Sequence, residues 1–149
     1  MRVVPARVGQ AFDLGALHIR VLWPDGPGLR GEDPHEHGVV LLASYGQFDA
    51  LLTGDSESPV TLPLRPPEVE LLKVAHHGSA DDGLSDLLQL VQPKLALISV
   101  GEGNDYGHPA VSTMTALTSF PGLAVYRTDE DGRITVESDG TSFSVRTER

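Results

Sequence analysis

The sequence has no cysteine among its 149 residues, which excludes a disulfide scaffold, a thiolate zinc site and a cysteine nucleophile. Basic residues are also few, since 11 Lys and Arg stand against 21 Asp and Glu and give a net charge of −10. Proteins that bind nucleic acid unaided usually carry a basic face, so non-specific duplex binding by this chain is not expected, although a nuclease site can work through metal ions. No apolar run approaches the ~20 residues of a membrane-spanning helix, and no signal peptide is recognisable.

What is present is the composition of one soluble globular domain, which we assign to residues 1–149, with 40% hydrophobic and 21% charged residues. The apolar pattern predicts helices at about 83–92 and 109–119, the first from a stripe at every third or fourth residue and the second beginning at Pro109. Four prolines between 56 and 67 argue against regular structure across most of that stretch. Strand patterns lie at 3–4, 17–23, 39–43, 48–52, 70–75, 95–100, 123–127, 133–137 and 141–145. This order predicts a mixed α/β sheet.

Polar residues gather in four loops, each at the end of or just before a predicted strand. The loops cover residues 34–38, 53–57, 76–79 and 104–109, and they contain five of the six histidines. Because strand ends at one edge of an α/β sheet form the natural ligand site, three of these loops are expected to converge there. Neutral imidazole and carboxylate are ligands that suit Zn²⁺ or Mn²⁺.

Each loop also has a plain structural interpretation. Asp55 either binds a metal or caps a turn after Gly54. Adjacent residues of an extended chain point in opposite directions, so only one of His76 and His77 is expected to face a given centre. His108 is either a ligand or a helix cap. The two histidines at 35 and 37 form a workable chelate in extended backbone or lie on a surface loop.

Taken in order, the loops resemble a known series of motifs. The series is LLTGD at 51–55, LKVAHHGS at 72–79, ISVG at 98–101, NDYGHP at 104–109, and RTD at 127–129 with DG at 131–132. It is similar to the metallo-β-lactamase-like domain at the C-terminus of ComEC-type proteins, the bacterial family of DNA-uptake (competence) proteins, from about Gly9 to the chain end. The resemblance implies an α/β fold that is half of a metallo-β-lactamase αββα sandwich.

The resemblance also implies roles for individual residues. Asp55 would bridge two metal ions and His108 would be a further ligand, while His76 or His77 would contact the reacting group or act as acid or base. His37, in a segment that replaces the family's Asp-Pro-Asn-x-x-Ser, would be an additional ligand. The residues that would line the substrate pocket are Ser79, Asn104 and Tyr106.

The sequence departs from the family by lacking the HxHxDH motif, which supplies most of the metal ligands. The chain therefore resembles only the C-terminal portion of the domain. Since a catalytic zinc needs about three protein ligands, two divalent ions (Zn or Mn) are expected in the complete domain, with weak or no binding by this portion. The implied partners are the N-terminal half of the domain, DNA through a parent protein at the bacterial inner membrane, and further copies of this chain, because a half-sandwich exposes apolar surface.

Three functions remain open on the sequence. The first is a portion of a phosphodiesterase or nuclease that acts during DNA uptake and is inactive by itself. The second is a non-catalytic structural or docking module of an uptake complex. The third is an esterase or lactonase of the same superfamily that acts on small molecules.

Overall fold

The structure, a computed structural model, describes residues 4–25 and 38–149. Within these ranges the chain forms nine strands and four α-helices. The helices are α1 (Ser58–Thr61), α2 (Leu84–Val91), α3 (Val111–Ser119) and α4 (Thr128–Asp131), with short 3₁₀ turns at Leu62–Leu64 and His76–Gly78. The strands are β1 (Ala11–Leu14), β2 (Leu17–Trp23), β3 (Val40–Tyr45), β4 (Phe48–Leu52), β5 (Leu71–Lys73), β6 (Leu95–Ile98), β7 (Ala124–Arg127), β8 (Ile134–Ser138) and β9 (Phe143–Thr147).

Seven of the described strands form one mixed sheet in the order β1-β2-β3-β4-β5-β6-β7. The first four strands pair antiparallel, and β4 to β7 pair parallel. β3 and β4 form a hairpin, with Tyr45 opposite Phe48 and the turn at Gly46 and Gln47. Gly46 has φ +62°, and a Cβ there would overlap the Gly140 carbonyl oxygen, so the turn requires glycine. The predicted mixed α/β sheet is confirmed.

Helices cover one face of this sheet. α2 buries the stripe that its sequence predicts, Leu84, Leu87, Leu88 and Val91, each 3% exposed or less. Apolar spacing of this kind places side chains on one helical face, and burial of that face against the sheet stabilises a helix too short to persist alone. The sheet and α3 contribute most of the other buried side chains of this core, including Val40, Leu42, Leu51, Leu72, Ile98 and Leu117.

The two-stranded sheet β8–β9 covers part of the opposite face. Val136, Phe143 and Val145 pack there against a second core cluster of Ala50, Leu71 and Leu95. The Phe48 and Phe143 rings have their centroids 5.5 Å apart, a separation typical of favourable aromatic pairs. The C-terminal hairpin therefore shields the parallel half of the sheet on this side.

Part of the antiparallel half of the same face is exposed to solvent, although Val21 of β2 is buried there. Phe12 pairs with Ile19, Ile19 with Ala43, and Ala43 with Ala50, so these side chains share one face. Phe12 is 43% exposed, and two side chains that follow the same alternation, Leu14 on β1 and Leu52 on β4, are 67% and 36% exposed. We call Phe12, Leu14 and Leu52 the open sheet face. Apolar surface in this arrangement is typical of an interaction site.

Several sequence predictions need correction. The proline-rich stretch 56–67 holds α1 and a 3₁₀ turn, because Pro59 and Pro63 occupy first-turn positions where no backbone N–H is needed. Val4 lies outside any strand, and β1 had not been predicted. The second long helix begins at Val111 and not at Pro109, and within it Val111 is 84% exposed while Thr113 is buried. Among the described residues, no helix has the length and apolar character needed to cross a membrane.

Candidate functional site

Three of the polar loops meet where the parallel strands end. Asp55 follows β4, His76 and His77 follow β5, and His108 lies in the segment between β6 and α3. Because parallel strands present their carboxyl ends at the same edge, the loops are adjacent. Backbone hydrogen bonds join them, from the His76 N–H to the Gly54 carbonyl (3.0 Å) and from the Ala110 N–H to the Gly78 carbonyl (2.8 Å). We call this edge the polar rim.

The two adjacent histidines lie in a left-handed turn. Their φ angles are +47° for His76 and +55° for His77, followed by +82° for Gly78. The premise of extended backbone at this pair is therefore wrong, and both rings reach the polar rim with centroids 6.3 Å apart. Non-glycine residues rarely adopt positive φ, and strained conformations of this kind concentrate at functional sites.

His76 contacts a carboxylate that the sequence analysis had not singled out. Its Nδ1 lies 2.9 Å from Glu57 Oε1, and the Ser79 hydroxyl donates to the same oxygen. The side chains of His76 and Glu57 are 27% and 22% exposed. Glu57 precedes a helix, where an acidic residue is ordinarily interpreted as a cap, so only its tertiary contact distinguishes it.

The other two imidazoles complete the group. His77 Nδ1 lies 2.6 Å from the Ser99 carbonyl oxygen, and since a carbonyl only accepts, this nitrogen carries the proton. His108 packs against His76 with ring centroids 5.5 Å apart in an edge-on arrangement. Three histidines from two separate loops thus share one surface.

The three residues assigned to substrate binding occupy different surroundings. Ser79 is buried, and its hydroxyl is engaged by Glu57. Asn104 ties its own loop together, donating to the His108 carbonyl (2.6 Å) and accepting from the His108 N–H (3.0 Å). Tyr106 is 82% exposed and stacks on His108, with centroids 6.0 Å apart and planes at 16°. Of the three, Tyr106 presents a side chain to solvent at the rim.

One cation lies beside Asp55. Burial lowers the pKa of Lys73, and the negative charge of the exposed Asp55 acts in the opposite direction. The Lys73 ammonium donates to the Val74 carbonyl at 2.8 Å. The polar rim therefore contains both signs of charge, in a chain whose net charge is −10.

The imidazole and carboxylate side chains of the polar rim are of the type that binds a metal ion, but too few of those described lie together to hold one. Imidazole and carboxylate are the ligands expected for Zn²⁺ or Mn²⁺, yet in the described ranges no three or more His, Asp or Glu side chains are grouped so as to hold an ion. His37, the additional ligand inferred from the sequence, lies outside the described residues. The described residues alone do not form a metal centre.

Comparison with known proteins finds similarity to segments of three longer proteins. No family model matches the chain. It is 32% identical over 130 residues to ComE operon protein 3 of Bacillus subtilis, a match covering 85% of this chain and 16% of that protein. It is 31% identical over 130 residues to Recombination protein 2 of Haemophilus influenzae, covering 86% and 16% respectively. An uncharacterized Escherichia coli protein, YcaI, is 30% identical over 113 residues, covering 71% and 14%.

These relatives are much longer than the matched region. The chain spans about a sixth of the length of the curated proteins it matches. The matches cover most of its length, including residues of both the sheet and the polar rim. The chain is thus similar to one segment of ComE operon protein 3 and of Recombination protein 2.

Proposed function

We propose that this chain is part of a metal-dependent hydrolase of the metallo-β-lactamase type that cleaves phosphodiester bonds of DNA in a DNA-uptake protein. The observation that carries the proposal is the hydrogen bonding of the paired histidines, His76 and His77. Each has Nδ1 against an oxygen acceptor, the Glu57 carboxylate for His76 and the Ser99 carbonyl for His77. An acceptor at Nδ1 gives Nε2 the lone pair with which imidazole takes up a proton or binds a cation.

In this proposal His76 and His77 act as acid or base or contact the reacting group. Asp55 and His108 supply a carboxylate and an imidazole ligand, and Ser79, Asn104 and Tyr106 form the surroundings of the substrate. Since the described residues are too few for a metal centre, the remaining ligands come from the N-terminal half of the same domain. The similarity to ComE operon protein 3 and Recombination protein 2 supports the link to DNA uptake.

Replacing Asp55 by asparagine in the full-length product of the gene is expected to lower Mn²⁺-dependent cleavage of single-stranded DNA at least tenfold, because the carboxylate charge is lost with little change of shape. Cleavage of a labelled oligonucleotide, with and without a chelator, measures the effect. Asp86→Asn makes the same chemical change on the exposed surface of α2 and is expected to retain the wild-type rate. Undiminished DNA cleavage by Asp55→Asn would contradict the proposed hydrolase. Hydrolysis of lactones or small esters without DNA cleavage would favour the esterase or lactonase that acts on small molecules.

A second candidate is a non-catalytic docking module, and the open sheet face favours it. Phe12, Leu14 and Leu52 leave apolar area on a sheet that a globular domain would normally cover. Tight stoichiometric binding of Zn²⁺ or Mn²⁺ by the chain, measured calorimetrically, would argue against a module that has lost its metal site. In the hydrolase the open sheet face would be covered by the N-terminal half of the domain, whereas in the docking module it would be covered by a component of the uptake complex.

The isolated chain is accordingly expected to self-associate through the open sheet face, because a second copy can cover the apolar side chains that the N-terminal half would bury in the proposed complete domain. Sedimentation velocity over a range of concentrations should show a rising weight-average sedimentation coefficient. The double variant Phe12→Ser, Leu14→Ser should remain a monomer, whereas Leu90→Ser, which changes an exposed leucine of α2 that is 38% exposed, should associate like the wild type. A monodisperse wild-type monomer at high concentration would contradict the assignment.

A further inference from the structure

Glu57 stands at the start of a helix without capping it. Its carbonyl oxygen accepts from the N–H groups of Val60 and Thr61, both at 3.0 Å, but its side chain makes no capping hydrogen bond. Asp81 takes that role through Oδ2, which accepts from the Ser58 N–H (3.0 Å) and the Ser58 hydroxyl (2.6 Å). The carboxylate of Glu57 is therefore directed elsewhere for a reason other than helix stability.

The orientation of this carboxylate is fixed from two sides. Oε1 lies 2.9 Å from His76 Nδ1 and also accepts from the Ser79 hydroxyl. Ser79 is itself anchored, since its N–H donates to the His76 carbonyl at 2.9 Å and its carbonyl accepts from the Thr113 hydroxyl. Ser79 and Thr113 are 7% and 1% exposed. A carboxylate held by a buried hydroxyl has little freedom to leave the imidazole.

We propose that Glu57 is a positioning residue for His76, fixing the ring orientation and placing the neutral imidazole's proton on Nδ1 and its lone pair on Nε2. The inference rests on the proposed function for its role in catalysis, but the tautomer itself does not depend on activity. An ionised carboxylate only accepts hydrogen bonds, so the nitrogen that faces it must carry the proton. A carboxylate behind a histidine orients the ring and raises its basicity in many hydrolytic sites.

The left-handed turn makes the contact between Glu57 and His76 important for the orientation of the His76 ring. His76 has φ +47° and packs edge-on against His108, so a small rotation of its ring would change which atoms meet at the polar rim. Two hydrogen bonds connect the residue to the segment after β4, the backbone bond to Gly54 and the side-chain bond to Glu57. The second of these sets the ring.

The tautomer is measured by long-range ¹H–¹⁵N correlation spectra of the ¹⁵N-histidine-labelled chain with chelator, at alkaline pH where imidazoles are neutral. The chain has six histidines, and the signal that disappears in His76→Gln is that of residue 76. We expect the wild type to show the proton on Nδ1. Glu57→Gln, whose amide oxygen still accepts, should keep this pattern, and Glu57→Leu should shift it towards the proton on Nε2.

Glu68→Leu is the matched control, since it makes the same change at an exposed glutamate and should leave the wild-type pattern. A wild-type signal with the proton on Nε2, or an unaltered tautomer in a folded Glu57→Leu, would overturn the proposal. If Glu57→Leu does not fold, the wild-type and Glu57→Gln spectra decide alone. In the full-length protein, kcat should fall about tenfold in Glu57→Leu and recover in Glu57→Gln.

Failure of this proposal and failure of the proposed function are distinguishable. If the proton leaves Nδ1 in Glu57→Leu while Asp55→Asn cleaves DNA at the wild-type rate, the positioning role of Glu57 stands and the hydrolase proposal fails. If the tautomer of His76 is unchanged in Glu57→Leu while Asp55→Asn loses cleavage, the hydrolase proposal stands and the positioning role of Glu57 fails.

Discussion

Replacing Gly78 by alanine is expected to lower the free energy of unfolding by about 2–5 kcal/mol. The residue has φ +82°, and a Cβ built on it would lie 2.7 Å from Pro109 Cβ and 3.3 Å from Ile98 Cγ2. Left-handed backbone costs an L-residue roughly 1–2 kcal/mol, and overpacking adds about 1–3 kcal/mol. Neither neighbour is the far end of a flexible side chain, so the clash is relieved only by moving backbone of the polar rim.

Alanine substitutions at two other glycines separate the cost of the left-handed backbone from the cost of overpacking. Gly107 has φ +71° and a Cβ added to it would meet nothing within 4 Å, so Gly107→Ala should show the backbone cost alone, while Gly101 has neither feature and Gly101→Ala should be nearly neutral. Urea unfolding of the three variants measures the series. An effect of Gly78→Ala no larger than that of Gly107→Ala would mean that Gly78 and Pro109 are not in contact.

Replacing Asp129 by asparagine is expected to cost about 2 kcal/mol at neutral pH. Arg127 donates to both carboxylate oxygens, from Nε at 3.0 Å and from a terminal nitrogen at 2.5 Å. These side chains are 21% and 12% exposed for Arg127 and Asp129, so water screens the pair only partly. The pair closes the turn from β7 into α4, beside the polar rim.

The cost should depend on pH with a defined sign. The hydrogen bonds from Arg127 hold the pKa of Asp129 below its ordinary value of 3.8. A carboxylate with a lowered pKa contributes stability above its unfolded-state pKa and loses it as pH falls through the folded-state pKa. The difference between wild type and Asp129→Asn should therefore be full above about pH 5 and shrink below about pH 4.

Glu130 provides the control, because it also contacts Arg127, at 2.9 Å, but is 64% exposed. Glu130→Gln should cost less than about 1 kcal/mol, as exposed ion pairs do. Unfolding by urea at several pH values measures both variants. A pH-independent loss in Asp129→Asn would indicate that packing, and not the charge pair, stabilises this turn.

Much of the sheet was predictable from local pattern. The strands at 17–23 and 48–52 begin and end where alternation and turn residues place them, and the α2 stripe is buried as its spacing requires. These elements were accessible because their apolar period matches the period of the backbone. The strand at β1 was missed because it has only four residues, which is too short for Phe12 and Leu14 to establish a period.

The site was predictable in its loops and not in its contacts. A glycine, an aspartate and three histidines at strand ends are enough to identify the polar rim, since chain order and strand direction determine which ends meet. Glu57 was not identifiable, because a glutamate next to a helix start is ordinary in sequence and only folding places this one 2.9 Å from an imidazole.

The sequence by itself determined an α/β chain with chemistry concentrated at one edge of the sheet, because apolar periodicity and strand-end polarity are local properties. The tertiary structure alone decided the left-handed turn at His76 and His77, the carboxylate behind His76, and the division of one sheet face into a part covered by β8–β9 and the open sheet face. Each of these depends on residues that approach from distant parts of the chain, and local propensity carries no information about such contacts.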